Sequence, residues 1–325
     1  MRKSALALLL ALSAFSAFTQ TTDDEKELVK TKDVLKAQNK DTVEGWKTGG
    51  VFSVNLTQVS LTNWNAGGNS SVSVNGVLSL FANYKKGNNA WDNSLDLGYG
   101  ILKQDGEGVR KSDDKIEFTS KYGRKAIKNW YYAALINFKS QMTAGYNYPD
   151  DSTVISNFLA PGYALVAIGL DYKPSDVLTL FISPLTMKAT IVNDQNLADA
   201  GAFGVDPAEY DNLGTLVKRG SNLRAEYGGY LRAQVKKDIM ENVNFQSRID
   251  LFSNYSEEPL HIDVNWEVLI AMKVNKYISA TVTTNLIYDH DVDIAVDENN
   301  DGITDAYGPR VQFKEVLGVG LSYKF

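Results

Sequence analysis

The most constraining feature of this chain is an alternation of apolar and polar residues that keeps period two over stretches of ten residues and more. From Leu260 to Met272, Leu260, Ile262, Val264, Trp266, Val268, Ile270 and Met272 alternate with His261, Asp263, Asn265, Glu267, Leu269 and Ala271. A helix would scatter the first set around its surface, whereas a strand puts it on one face. Residues 276–289 and 222–236 repeat the pattern. Strands of this length exceed those of most soluble sheets and match what a tilted strand needs to cross a bilayer.

Reading the whole chain this way predicts strands at 50–62, 71–85, 90–103, 114–125, 130–142, 162–173, 177–190, 222–236, 242–255, 259–273, 276–289 and 310–325. The links between them alternate short and long, apart from the short Ser256–Glu258 link. Short turns on one side and long loops on the other are the outer-membrane arrangement. The fold class expected is therefore all-β: a transmembrane, antiparallel, up-and-down β-barrel of about twelve strands spanning 47–325. Aromatic residues form two expected girdles. Tyr84, Trp91, Trp130, Tyr131, Tyr172, Tyr277, Tyr323 and Phe325 fall beside the short turns or the C-terminus, and Tyr99, Tyr227, Tyr255 and Tyr288 near the opposite ends. A soluble β-sandwich would instead bury its aromatics in mid-strand. Three places fit less well. Val59 and Leu61 slip off the face of Phe52, Val54 and Leu56, which suggests a bulge. Pro184 interrupts its strand and suggests another. Glu315 lands on the lipid face by parity, near the outer rim.

The N-terminus fits export. Met1-Arg2-Lys3 is followed by a small and apolar run from Ala5 to Phe18, too short for a stable membrane helix, so residues 1–19 read as a signal peptide. Residues 20–46 are polar and read as a periplasmic lead-in. The chain has no cysteine, which removes lipoprotein anchoring and thiolate metal sites. Its mean hydropathy of -0.24 looks soluble, but in a barrel only every second residue meets lipid. With a net charge of -6 and no basic stripe, nucleic acid is not an expected partner.

The last strand, with Val319, Leu321, Tyr323 and Phe325 at alternate positions, is similar to the C-terminal assembly signal of outer-membrane proteins. That resemblance implies the barrel-assembly machinery as a partner, the outer-membrane lipid bilayer as solvent and the cell outer membrane as location. The chain from Trp46 to Phe325 also resembles an uncharacterised family of outer-membrane barrels typical of Bacteroidetes. The residues that carry this likeness are Gln58-Val59-Ser60-Leu61-Thr62-Asn63-Trp64-Asn65-Ala66-Gly67-Gly68 and the run from Gly308 to Gly320. The resemblance implies fold and location, and no activity.

Few constellations point to chemistry. His261 with Asp263, and His290 with Asp289, Asp291 and Asp293, offer no nucleophile–base pair, so no catalytic residue and no enzyme activity are expected. Asp297, Asn299, Asp301 and Asp305, with Gly302 at the sixth position, reproduce the front of a calcium loop, because Ca²⁺ takes several hard oxygens and glycine permits the sharp turn. The twelfth position is Gly308 instead of a bidentate Glu, and a solvated acidic loop without an ion fits the same residues. No other cofactor is expected. Trp64, in the Asn63–Gly68 run, reads as an interfacial anchor or as a saccharide-stacking surface.

The lumen is the richest feature. By parity Asp92, Asp96, Lys115, Glu117, Lys121, Arg224, Glu226, Arg232, Lys236, Arg248, Asp250, His261, Asp263, Glu267 and Lys314 point inward. Facing lipid at the midplane would cost roughly 2–4 kcal/mol for each basic residue. Such charges either line a narrow path for small polar solutes or close the lumen with ion pairs, leaving an accessory barrel that presents loops 191–221 and 290–309 to a partner. Gly98, Gly100, Gly228, Gly318 and Gly320 lack side chains at inward positions and tilt the expectation toward the conduit.

Overall fold

The computed structural model describes residues 44–60, 70–148, 150–256, 259–275, 277–296 and 305–324. The signal peptide, most of the 20–46 segment, Trp64, Asp297, Asn299, Asp301 and Phe325 lie outside them.

Twelve antiparallel strands close into a barrel, each paired with its neighbours in sequence: β1 (Gly45–Val59), β2 (Ser71–Lys86), β3 (Asn89–Gln104), β4 (Val109–Ile127), β5 (Trp130–Ser140), β6 (Gly162–Tyr172), β7 (Leu178–Ile191), β8 (Leu223–Met240), β9 (Val243–Asn254), β10 (Ile262–Lys273), β11 (Ile278–Tyr288) and β12 (Gln312–Lys324). The ladder between β1 and β2 runs from Gly45↔Lys85 to Val59↔Ser71. Among the described residues the closing seam between β12 and β1 holds the pairs from Val51↔Lys324 to Asn55↔Gly320.

Every strand expected from the alternation is present. The differences are at ends and bulges. The Gln104–Asp113 link, expected to be long, shrinks to residues 105–108, because β3 and β4 go on pairing as far as Lys103↔Val109. The bulge expected in β1 is absent, since its ladder with β2 is unshifted through Val59. Beyond Leu56 the strand nears its outer end, where hydrocarbon no longer dictates which face must be apolar. The bulge at Pro184 is present. Ile168 faces Leu185 and Leu170 faces Ile182, so Ser183 and Pro184 together oppose Gly169. A Cβ on Gly169 would lie 2.0 Å from the Ile182 carbonyl oxygen, so only glycine permits this approach.

The chemistry of the barrel is inside-out. Tyr132, Leu185 and Leu317 are 66%, 65% and 67% exposed on the outer face, while Glu117 and Asp171 are each 1% exposed within. Glu315 is exposed beside Phe313 and Leu317, close to the outer end of β12. At the short-turn end Trp46 packs against Tyr84 and Trp91 with ring centroids 5.2 and 5.7 Å apart, and Trp130 against Tyr172 at 4.6 Å. An apolar belt, aromatic rims and an interior of charges are stable only with hydrocarbon outside. The protein is an integral outer-membrane β-barrel.

The long connection between β7 and β8 has a small core of its own. Helix α1 (Gln195–Asp199) is capped by Asp194, whose carboxylate accepts from the Asn196 and Leu197 amides. Ala198 of α1 packs with Ala160, Val192 and Val205. Asp199 accepts from Gln195 Nε2 (2.7 Å), the Gly220 amide (2.8 Å) and Arg219 Nη1 (2.9 Å). These bonds hold its carboxyl below the usual carboxylate range, Gln195's contributing most.

Candidate functional site: the lumen

The alternation that puts apolar residues on lipid puts the opposite set in the lumen, and strand register decides which of these meet. In the middle of the barrel Arg248 Nη2 lies 3.1 Å from Glu117 and 2.7 Å from Glu267. Glu117 also binds Lys115 (2.9 Å) and Lys139 (3.6 Å), and accepts from Asn137 Nδ2 (3.1 Å). β4 and β10 are not neighbours, so the Lys115–Glu267 contact of 3.4 Å crosses the interior. Directly across a ladder rung, Arg232 grips Asp250 through Nε (2.5 Å) and Nη2 (3.2 Å), and the Tyr230 hydroxyl donates to the same carboxylate at 2.6 Å.

Nearer the periplasmic end, Lys121 pairs with Asp171 (2.9 Å), and Lys173 bridges Asp92 (3.1 Å) and Asp171 (3.5 Å). At the outer mouth Lys188 reaches Asp263 (2.6 Å), Asp289 (3.2 Å) and Glu226 (3.5 Å). Arg224 holds Asp291 (2.5 Å) and donates to the Gly204 carbonyl (3.1 Å), tying the β7–β8 loop to the residues after β11. The His261 and His290 rings stack there at 3.7 Å, and the Tyr288 hydroxyl lies 3.3 Å from His290 Nδ1. Lys314 pairs with Asp113. Glu226, Asp263 and Asp291 present oxygens within 4.8 Å of one another, and Lys188 pairs with Glu226 and Asp263 while Arg224 pairs with Glu226 and Asp291. Of the calcium-loop residues only Asp305 is described, and it is exposed.

The structure brings most of the expected charges into ion pairs but not Asp96 and Lys236, and it adds partners that the reading missed: Lys139, Asp171, Lys173 and Lys188. Lys139, Asp171 and Lys188 occupy inward positions of β5, β6 and β7, so carrying the same parity through those strands would have found them. A second omission is apolar. Ala133, Leu135, Ala167, Phe181, Tyr230 and Phe252 form a buried cluster on the inner face of β5–β9. Together with the ion pairs it fills that half of the barrel.

The other half differs in kind. On β1, β2, β11 and β12 the mid-barrel inward positions are Ser53, Asn55, Ser73, Asn75, Ser79, Thr281, Thr283, Asn285, Gly318, Gly320 and Ser322, with Val51, Val77, Phe81, Ile287 and Val316. None is charged. The side chains of Ser53, Asn55, Asn75, Ser79, Thr283 and Asn285 all stay partly exposed, whereas Leu135, Asn137, Phe181 and Ser183 across the lumen are buried. The inward glycines do not create this space. A Cβ at Gly100 would meet Ser112 Oγ at 2.6 Å, one at Gly318 would meet Asn55 Nδ2 at 2.9 Å, and one at Gly228 would meet the Ser253 carbonyl at 1.9 Å. Gly100, Gly228, Gly318 and Gly320 let neighbouring groups approach closely, which corrects their reading as open volume, whereas Gly98 would accept a Cβ at ordinary contact distance. The room comes from short side chains around them.

A family model described as a protein of unknown function (DUF3078) matches residues 56–146. That stretch contains the Gln58–Gly68 segment and excludes the Gly308–Gly320 run. No curated protein matches the chain. Among solved structures, the COG4313 outer membrane channel from Pseudomonas putida F1 is similar at 11% identity and a TM-score of 0.38, over 87% of this chain and 96% of that one. The translocator domain of the autotransporter NalP from Neisseria meningitidis is similar at 10% identity and a TM-score of 0.34, over 93% and 96%. Outer membrane phospholipase A from Escherichia coli is similar at 12% identity and a TM-score of 0.34, over 87% and 93%. With scores this low, the membrane assignment rests on the barrel's own inside-out chemistry.

Proposed function

We propose that this barrel is a narrow passive conduit for small polar solutes, and that the path runs along the wall of β11, β12, β1 and β2, which carries no charge at mid-barrel and Lys314 near its outer end. The observation that carries the reading is the asymmetry of the lumen. One half is packed with an apolar cluster and paired charges; the other is lined by short hydroxyl and amide side chains that remain partly exposed at mid-barrel. Such a wall exchanges hydrogen bonds with a passing solute at little cost and attracts no ion strongly enough to trap it. Twelve strands with half their lumen filled leave a narrow bore, which favours small solutes.

Catalysis is no part of this reading: the two histidines of the outer mouth stack on each other beside carboxylates and lysine. The bilayer and the barrel-assembly machinery are the partners that a chain of this kind requires. A second reading, a closed accessory barrel, draws on the outer mouth, where Arg224 ties the β7–β8 loop to Asp291. Single-channel recording in planar bilayers separates the two. The conduit predicts small, ohmic, long-lived steps with purified protein. A membrane that stays silent despite folded, inserted protein would favour the closed barrel and end the conduit reading.

A further inference from the structure

Almost every charge inside the barrel is committed to a partner. Lys115, Lys121, Lys139, Lys173, Lys188, Arg224, Arg232 and Arg248 each contact at least one carboxylate. Away from the rims, two inward charges differ. Among the described residues neither Lys236 on β8 nor Asp96 on β3 makes an ion pair, and both side chains are partly exposed. β3 and β8 lie five strands apart in a ring of twelve, so the two residues stand on facing walls. Asp96 bonds the hydroxyl of Ser79, a member of the polar wall. Around Lys236 the strongest attraction comes from Asp96, followed by Asp92, with Arg248 opposing. Asp92 is held by Lys173, and Arg248 by Glu117 and Glu267. Asp96 in turn feels Glu117, Lys115 and Arg248, and Glu117 binds both of these cations.

We infer that Lys236 and Asp96 form a charge couple across the open part of the lumen, and that it selects small dipolar ions, solutes with an ammonium at one end and a carboxylate at the other. This inference rests on the conduit reading. A cation and an anion on opposite walls set up a field across the path. A neutral solute gains little from such a field, and a simple ion is drawn to one wall and repelled by the other. A zwitterion that turns to match is attracted at both ends. At water-like dielectric, one unit charge about 6 Å from the path changes the local concentration of a facing charge roughly threefold, and salt weakens this further.

The test uses the full barrel in lipid. Entry of L-serine relative to uncharged erythritol is measured by liposome swelling, and reversal potential under a KCl gradient in planar bilayers, for wild type, Lys236→Gln and Asp96→Asn. The serine-to-erythritol ratio should fall roughly threefold in either variant, with erythritol entry retained. The reversal potential should move toward cation preference in Lys236→Gln and toward anion preference in Asp96→Asn. Lys236→Arg keeps the charge and should keep the ratio, which guards against a neutral variant that fails to insert. A conducting wild type whose ratio and reversal potential are the same in both neutral variants, or a ratio lost in Lys236→Arg, overturns the inference and leaves the conduit standing. A wild type that admits neither solute and carries no current overturns both.

Discussion

Replacing Arg232 by alanine tests whether half of the lumen is a true protein interior. The guanidinium and its partner carboxylate on Asp250 are each 10% exposed at the side chain, and the bidentate contact is supported by the Tyr230 hydroxyl. Removing one partner of a buried pair leaves an uncompensated charge and typically costs about 3–5 kcal/mol. Asp250 would keep the Tyr230 hydroxyl at 2.6 Å and Arg248 Nε at 3.5 Å. Those contacts place Arg232→Ala near the lower end, about 3 kcal/mol. Were the region wet, solvent screening would reduce the loss to about 0–1 kcal/mol. The double variant Arg232→Met, Asp250→Leu removes both charges and should recover most of the loss, short of about 1 kcal/mol for the acceptor that Tyr230 loses. The assay is urea unfolding of the barrel in lipid vesicles, followed by tryptophan fluorescence and by the migration difference between boiled and unboiled protein. A loss below about 1 kcal/mol for Arg232→Ala would refute the packed half.

Gly169→Ala drives a Cβ against the Ile182 carbonyl at the Pro184 bulge; it should cost about 2–3 kcal/mol and lower the heat-modifiable fraction, and wild-type behaviour would show that the bulge is not obligatory. The depressed pKa of Asp199 gives its loop stability that is present above the ordinary carboxylate pKa and lost as pH falls through the depressed value; proteolysis within 192–222 should therefore rise on strong acidification and less so in Asp199→Asn, whose loop lacks the charge at every pH. The Asp297–Asp305 spacing predicts one Ca²⁺ site whose calorimetric signal disappears in Asp301→Ala, and no heat from wild type at about millimolar Ca²⁺ refutes it. Deleting Phe325 should reduce insertion while export continues, and normal membrane levels of the truncated chain would remove the terminal strand's signalling role.

Much of the fold was legible because lipid writes a period-two rule into every strand that it touches. Leu260–Met272 gave its face directly and its span except at the start, where the strand begins only at Ile262, and Pro184 announced its bulge by the donor it lacks. The expectation failed where lipid has no say: in the outer reach of β1, where a slipped pattern needed no extra residue, and between Gln104 and Asp113, where strands pair beyond the hydrocarbon. Inside the barrel, parity tells which side chains face inward but not which of them meet. Lys115 and Glu267 are 152 residues apart, and their contact depends on the circumference and stagger of the closed ring. The split into packed and polar halves was equally hidden, since Leu135 and Phe181 look like ordinary strand residues until Tyr230 and Phe252 stand beside them.

The short seam has a consequence for how such a ring is made and unmade. β1 gives all its residues from Gly45 to Val59 to β2 but only Val51 to Asn55 to β12. Among the described residues fewer ladder pairs span that joint than any other, so parting it would leave the fewest backbone groups unsatisfied in hydrocarbon. The two strands meeting there also carry Asn55, Gly318 and Gly320, part of the polar wall. Unfastening the seam would open that polar wall to the lipid headgroups.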